Sequence, residues 1–91
     1  MVYVNVRHTV ADYEKWLLFF NEDDARRRTA GATGTTQIYR DADDANTVTV
    51  MMGWDTADNA RQFMNDPALR EVMQKAGVVG MPAVRAILSP A

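Results

Sequence analysis

Residues 2–8 read VYVNVRH and residues 13–20 read YEKWLLFF. The first segment alternates strictly, and because successive side chains of a strand point to opposite faces, it predicts a β-strand with two chemically different faces. The second segment repeats apolar side chains at helical spacing, which predicts an amphipathic helix. Thr9 and Asp12 stand three positions apart between them, as in a capping box that satisfies unpaired backbone N–H groups. A strand that leads directly into a helix is therefore the first unit of the fold.

The next unit is predicted to be an antiparallel hairpin. Gly31 ends the helix, residues 35–41 are rich in β-forming residues, and residues 41–46 read DADDAN, which is typical of a turn. Residues 47–54 then alternate again, so that Val48, Val50, Met52 and Trp54 share one face.

A second helix and a last strand complete the pattern. Asp55 or Thr56 caps the helix, Asp66-Pro67 interrupts it, and Gly77 ends it; residues 78–82 are expected to form a loop and residues 82–89 a strand. The order β-α-β-β-α-β, with the second helix broken, is typical of an α+β ferredoxin-like fold. Such a fold has a four-stranded antiparallel sheet with both helices on one face.

Composition limits the classes of function. A chain of 91 residues predicts one domain spanning residues 1–91. A net charge of -2 is not typical of a protein that binds nucleic acid or an anionic membrane. The absence of cysteine excludes disulfides, thiolate nucleophiles and cysteine-based metal sites. With no signal-peptide pattern and no apolar run of about 20 residues, the chain is expected to be cytoplasmic and to have no membrane partner.

The predicted strands carry apolar side chains on both faces, as Tyr3 beside Val4 and Met51 beside Val50 show. Two helices cover only one face of such a sheet. An exposed apolar face is costly, at roughly 25 cal/mol per Å² of apolar surface, and a symmetric dimer would cover it. We therefore expect a homodimer, with a monomer that has a partly apolar face as the alternative.

Segments along nearly the whole chain resemble a known superfamily: His8–Trp16, Arg28 with Gly31-Ala32 and Gly34, Tyr39-Arg40, Trp54-Asp55, Ala60-Arg61-x-Phe63, and Ala76-Gly77-Val78-x-Gly80-x-Pro82. They resemble small bacterial proteins of the dimeric α+β barrel superfamily. This superfamily includes antibiotic-biosynthesis-monooxygenase-like proteins, polyketide cyclases, muconolactone isomerases and haem-degrading enzymes. The resemblance implies a ferredoxin-like protomer whose sheet packs on its partner's sheet, with a ligand pocket between sheet and helices. It implies the fold more strongly than the chemistry.

Two residues are candidates for catalysis. His8 titrates near neutrality and is the candidate general base, with Asp12 placed to orient it. The alternative is that the His8 ring bonds a backbone group at the strand–helix junction. Arg40 is the candidate oxyanion partner, because a guanidinium can hold a carboxylate or an enolate oxygen. Its alternative is a surface salt bridge with Asp41 or Asp43.

Candidate ligand-binding residues are mainly aromatic. Trp16, Tyr39, Trp54 and Phe63 could stack on a planar ligand, with simple core packing as the alternative for each. Asn5 is the remaining candidate: Asn5 and Trp54 match two members of the Asn, Trp and His constellation of the related haem-degrading enzymes. The later helical histidine is absent, so haem chemistry is not expected.

No metal and no cofactor is expected. The acidic run that begins at Asp41 starts like a calcium loop, but Asn46 stands at its sixth position and Met52 at its twelfth, where glycine and glutamate are required.

Two functions remain open at this point. One is a small-ligand-binding homodimeric domain, either simply binding or acting as a cofactor-independent monooxygenase, cyclase or isomerase on a small aromatic or polyketide-like substrate. The alternative is a non-catalytic structural or interaction module. A deep pocket that contains His8 would favour the first, and a packed interior the second.

Overall fold

The computed structural model describes residues 1–79 and 85–91 in full and residues 80–84 by their backbone. Four strands form one antiparallel sheet in the order β2-β3-β1-β4, so β1 lies in the middle beside β3. This confirms the predicted α+β ferredoxin-like fold. The elements are β1 (Val2–Val10), α1 (Tyr13–Glu22), α2 (Asp24–Ala30), β2 (Ala32–Arg40), β3 (Thr47–Trp54), α3 (Ala57–Met64), α4 (Pro67–Lys75) and β4 (Val78–Leu88).

One face of the sheet is buried under the helices. Val6 of β1 pairs with Val50 of β3, and this register places the alternate side chains of both strands on the same face. Trp16 of α1 and Phe63 of α3 pack against that face and belong to the same core cluster. We call this the inner face; it carries Val4, Val6, His8 and Val10 from β1, and Val48, Val50, Met52 and Trp54 from β3.

The outer face of the sheet bears Met51, which is half-buried, while its neighbour Val50 is only 2% exposed on the inner face. Tyr3 pairs with Leu88 on this outer face, and both Leu88 and Tyr39 are exposed. The outer face is therefore mixed, with these apolar side chains beside polar ones such as Asn5, Arg7 and Thr9. None of the helices in the described ranges has the length and apolarity that crossing a membrane requires.

The first helix differs from its prediction at both ends. Its N-cap is Asp12, whose carboxylate accepts from the backbone N–H groups of Glu14 (3.0 Å) and Lys15 (3.3 Å). Thr9 is a β1 residue instead, with its hydroxyl 3.4 Å from that of Thr47. The observed N-cap therefore lies three residues after the predicted one, because the strand continues to Val10.

The same helix is broken at Asp23, where the sequence predicted a continuous helix to Gly31. Asp23 ends α1 and precedes α2, and its carboxylate binds the guanidinium of Arg26 in a bidentate pair. At the end of the chain, β4 begins at Val78, so the loop expected at 78–82 was wrong. Gly80 and Pro82, which carry part of the resemblance, lie among the residues described only by their backbone.

Candidate functional site

A cavity of about 60 Å³ lies between the inner face of the sheet and the helices. One water needs about 10–15 Å³ of such volume, and an engineered cavity of about 150 Å³ binds benzene. In its present shape, this cavity therefore has room for a few water molecules but not for an aromatic ring. Three polar side chains interrupt an otherwise apolar wall. The lining residues are Val6, His8, Trp16, Phe20, Asp23, Arg27, Val50, Met52, Phe63, Met64, Leu69, Val72, Met73 and Ala76.

His8 of β1 is buried in this wall, with 4% of its surface exposed. Neither Nδ1 nor Nε2 has a hydrogen-bond partner among the residues described in full. The register between β1 and β4 shifts between Arg7 and Thr9, which is the position of His8. The backbone hydrogen bond that would make His8 a turn-fixing residue is thus not found in the described ranges.

Burial lowers the pKa of His8 below its ordinary value of 6.5, because desolvation disfavours the charged imidazolium. The ring is therefore neutral at pH 7. A neutral imidazole has one N–H donor and one nitrogen that accepts a proton or a hydrogen bond. Held in an apolar wall, such a group can take a proton from a ligand that enters the cavity.

Arg27 of α2 is the second polar group, and the sequence interpretation missed it. Its guanidinium carbon lies 3.9 Å from the centroid of the Phe20 ring, and the residue is 5% exposed. Its Nη2 is 3.7 Å from Oδ1 of Asp24, which is beyond hydrogen-bond distance. Burial lowers the pKa of Arg27, while Asp23 and Asp24 oppose that shift. An arginine remains protonated in proteins, so the cavity contains a fixed cation.

A sequence signal for Arg27 did exist. Residues 26–28 are three arginines preceded by three acids, which favours a solvated and neutralised patch. Arg27, however, stands seven positions after Phe20, so it extends the helical stripe that begins at Trp16. Carrying the stripe beyond the helix break would have placed one of the three arginines on the buried side.

Asp23, the third polar group, already forms an ion pair. Its Oδ1 accepts from Nε of Arg26 at 2.8 Å and its Oδ2 from Nη2 of the same residue at 3.1 Å. Arg26 also lies over the Phe63 ring, 4.7 Å from its centroid. Because the Asp23 carboxylate is paired in this way, His8 and Arg27 are the polar groups that can meet a ligand.

Of the residues predicted from the sequence, His8, Trp16 and Phe63 come together in the cavity. Asp12 caps α1 and does not orient His8. Trp54 is fully buried in the core, where its ring centroid lies 5.1 Å from that of Phe63.

The other predicted residues lie elsewhere. Arg40 does not line the cavity: its Nε donates to the carbonyl oxygen of Ala45 at 2.7 Å, and its guanidinium lies over the Tyr13 ring. The salt bridge considered for Arg40 is not found in the described part of the chain, since Asp41 pairs with Arg7. Asn5 and Tyr39 are on the outer face of the sheet.

A groove of about 440 Å³ lies on the other side of part of the cavity wall. Met64, Leu69 and Met73 line both spaces, and we call these three residues the shared wall. The rest of the groove lining comes from the start of α4, from later residues of α4 and from β4. These residues are Asn65, Asp66, Pro67, Arg70, Gln74, Val78 and Arg85.

No protein-family model and no curated protein matches this sequence. Solved structures do share its fold. SnoaB, a cofactor-independent oxygenase from Streptomyces nogalater, aligns with a TM-score of 0.70 at 17% identity, over 99% of this chain and 91% of that chain. An antibiotic biosynthesis monooxygenase aligns with a TM-score of 0.70 at 9% identity, over 100% and 99% of the two chains. Rv0793 from Mycobacterium tuberculosis aligns with a TM-score of 0.69 at 13% identity, over 99% and 94%.

At these sequence identities the similarity establishes the fold only. The chemistry has to be argued from the residues of the site. The resemblance to antibiotic-biosynthesis-monooxygenase-like proteins is thereby confirmed for the fold.

Proposed function

We propose that this chain is a small-ligand-binding domain in which His8 acts as a general base on a small aromatic or polyketide-like substrate, without a cofactor. The observation that carries the proposal is the buried, neutral imidazole whose two nitrogens have no partner among the fully described residues. An unpaired buried polar group costs about 1–3 kcal/mol, so an apolar residue of similar size would serve packing better. A ligand that bonds to His8 offsets this cost.

The cavity also supports the step that follows proton removal. A phenol or enol that gives its proton to His8 becomes an anion, and Arg27 is a cation fixed in the same apolar cavity. A charge held in place before the reaction stabilises the anion without reorganisation. Arg27 thus takes the role that the sequence interpretation gave to Arg40. The rings of Trp16, Phe20 and Phe63 supply flat apolar surfaces for the substrate.

Among the reactions that begin in this way, we favour oxygenation, because SnoaB, which shares the fold, is a cofactor-independent oxygenase. The substrate anion adds dioxygen at an electron-rich carbon, and the His8 imidazolium returns its proton to the peroxide formed. Loss of water from the hydroperoxide leaves a carbonyl. One oxygen atom enters the product and the other leaves as water, so a CH₂ group and O₂ give C=O and H₂O.

The homodimer is part of the proposal. The outer face of the sheet exposes Leu88 and Tyr39 beside half-buried Met51 and Tyr3. Pairing this face with its copy would bury apolar surface in an isologous contact.

The test uses 1-naphthol, whose keto tautomer carries a CH₂ group that O₂ converts to the carbonyl of 1,4-naphthoquinone. Wild type and His8→Leu are compared by calorimetric binding and by oxygen uptake. Thr9→Ser, on the opposite face of the same strand, is the control. We expect wild type and Thr9→Ser to bind and oxidise 1-naphthol, and His8→Leu to lose about 10²- to 10⁴-fold in rate. Equal binding and equal rates in His8→Leu would contradict the assignment and favour the non-catalytic alternative.

A further inference from the structure

The groove beside the cavity carries two positively charged side chains. Arg70 of α4 and Arg85 of β4 both line it. Among the residues described in full, neither forms a salt bridge, and residues 80–84 contain no Asp or Glu that could supply one. Arg85 donates weakly from Nη1 to the carbonyl oxygen of Met64 at 3.4 Å.

The acid in the groove is engaged elsewhere. Asp66 is the N-cap of α4, and its Oδ1 accepts from the backbone N–H of Ala68 at 2.9 Å. Its Oδ2 lies 3.8 Å from Nη1 of Arg26, which stands outside the groove lining. The groove therefore has an excess of positive charge, and its guanidinium groups are suited to a planar carboxylate.

The shared wall lies between the cavity and the groove, because its three residues line both spaces. The cavity in its present shape is smaller than the roughly 150 Å³ that accepts a benzene ring. Two of the three wall residues are methionines, Met64 and Met73, whose unbranched side chains change rotamer easily. Movement of these side chains would join the cavity to the groove, so a ring reaching His8 would enter from the groove side.

We propose that the groove is the entrance to the cavity and binds the anionic end of an aryl carboxylate. The aromatic ring passes the shared wall and lies beside His8, while the carboxylate stays in the groove on Arg70 and Arg85. This inference rests on the proposed function for the ring, and adds the class of substrate: a planar aromatic compound with a carboxylate at one end.

The test compares two probes that differ in charge, 2-naphthoate and methyl 2-naphthoate, by isothermal titration calorimetry. We expect wild type to bind 2-naphthoate about tenfold more tightly than the ester, because a charge-assisted pair is lost in the ester. The double variant Arg70→Gln/Arg85→Gln should lose that preference and keep its affinity for the ester. Arg61→Gln, at an exposed arginine of α3 paired with Asp58, is the matched control and should behave as wild type.

A second variant tests whether the ring enters the cavity. Val72 lines the cavity and is absent from the groove lining, so Val72→Phe should fill the cavity and weaken both probes. If wild type binds the two probes equally, the groove is not a carboxylate site, while ester binding still supports the cavity. If 2-naphthoate binding depends on the arginines but not on Val72, the groove is an independent anion site and not an entrance. Failure of both probes to bind overturns the inference. Charge discrimination without any oxidation of 1-naphthol would overturn the proposed reaction alone.

Discussion

Trp16 packs edge-on against His8, with the two ring centroids 5.6 Å apart and the planes at 75°. Phe20 stacks on Trp16 at 5.0 Å, and Arg27 lies over Phe20. A continuous row of four side chains therefore connects the neutral imidazole to the buried cation. Because the two middle members are rigid rings, the row sets the separation of the two polar groups by packing.

Stability should depend on pH through His8. Burial lowers the pKa of His8 in the folded chain below 6.5, its ordinary value. At a pH between the folded-state pKa and 6.5, the unfolded chain therefore binds a proton that the folded chain does not. The free energy of unfolding should therefore fall as the pH drops below about 6.5, by up to about 1.4 kcal/mol per pH unit. The His8→Leu variant should not show this fall in the free energy of unfolding. Urea denaturation of both proteins between pH 7.5 and 5.5 measures the difference, with Thr9→Ser as the control that follows wild type. Parallel curves for wild type and His8→Leu would contradict the expectation.

Arg27 should matter for the reaction more than for the fold. Arg27→Met keeps much of the apolar contact with Phe20 and removes a buried charge, so stability should change by no more than about 1 kcal/mol. The rate of 1-naphthol oxidation should fall by about 10²-fold, because an anion forms without its fixed cation. Oxygen uptake and urea denaturation test the two parts. Arg28→Met, at an exposed arginine of the same helix, is the control and should keep the wild-type rate. A rate equal to wild type in Arg27→Met would remove Arg27 from the mechanism.

The outer face of the sheet should mediate dimerisation. Met51→Asp places two carboxylates in a symmetric contact and should give a folded monomer. Val50→Asp instead buries a charge in the core and should prevent folding. Light scattering and circular dichroism separate these outcomes. Leu18→Asp, the same kind of change at an exposed helical position, should leave the dimer intact. A stable dimer of Met51→Asp would exclude this face as the interface.

Two glycines should differ in their tolerance of alanine. Gly31 has a φ of 130°, and a Cβ there would lie 2.5 Å from Oδ1 of Asp55, whose backbone N–H donates to the Gly31 carbonyl. Gly34 has a φ of 90°, and its Cβ would meet the flexible end of Arg28 at 2.9 Å. Gly31→Ala should therefore cost well over about 1 kcal/mol, and Gly34→Ala less. Thermal unfolding of the two variants decides the order, and a larger loss at Gly34 would contradict it.

The candidate site was predictable only in part. His8, Trp16 and Phe63 were identified because a lone histidine and large aromatics are conspicuous in so short a chain. Arg27 was missed because three acids precede the run of three arginines, and local charge pairing between them favours a solvated patch. Arg40 lies outside the cavity, and its contacts with Tyr13 and the Ala45 carbonyl could not be predicted because they form only in the folded arrangement.

The sequence by itself determined the order of strands and helices and the two-residue alternation of β1 and β3, because both follow from backbone geometry and from interactions a few residues apart. The tertiary structure alone decided which alternate set of side chains faces inward, that Asp23 breaks the first helix, and that Arg27 shares a cavity with His8. The inward-facing set and the position of Arg27 beside His8 depend on the register between strands and on contacts across the sheet–helix interface. Residues distant in sequence make those contacts, so a local pattern such as the stripe through Phe20 and Arg27 indicates the buried side of a helix but not what lies across from it.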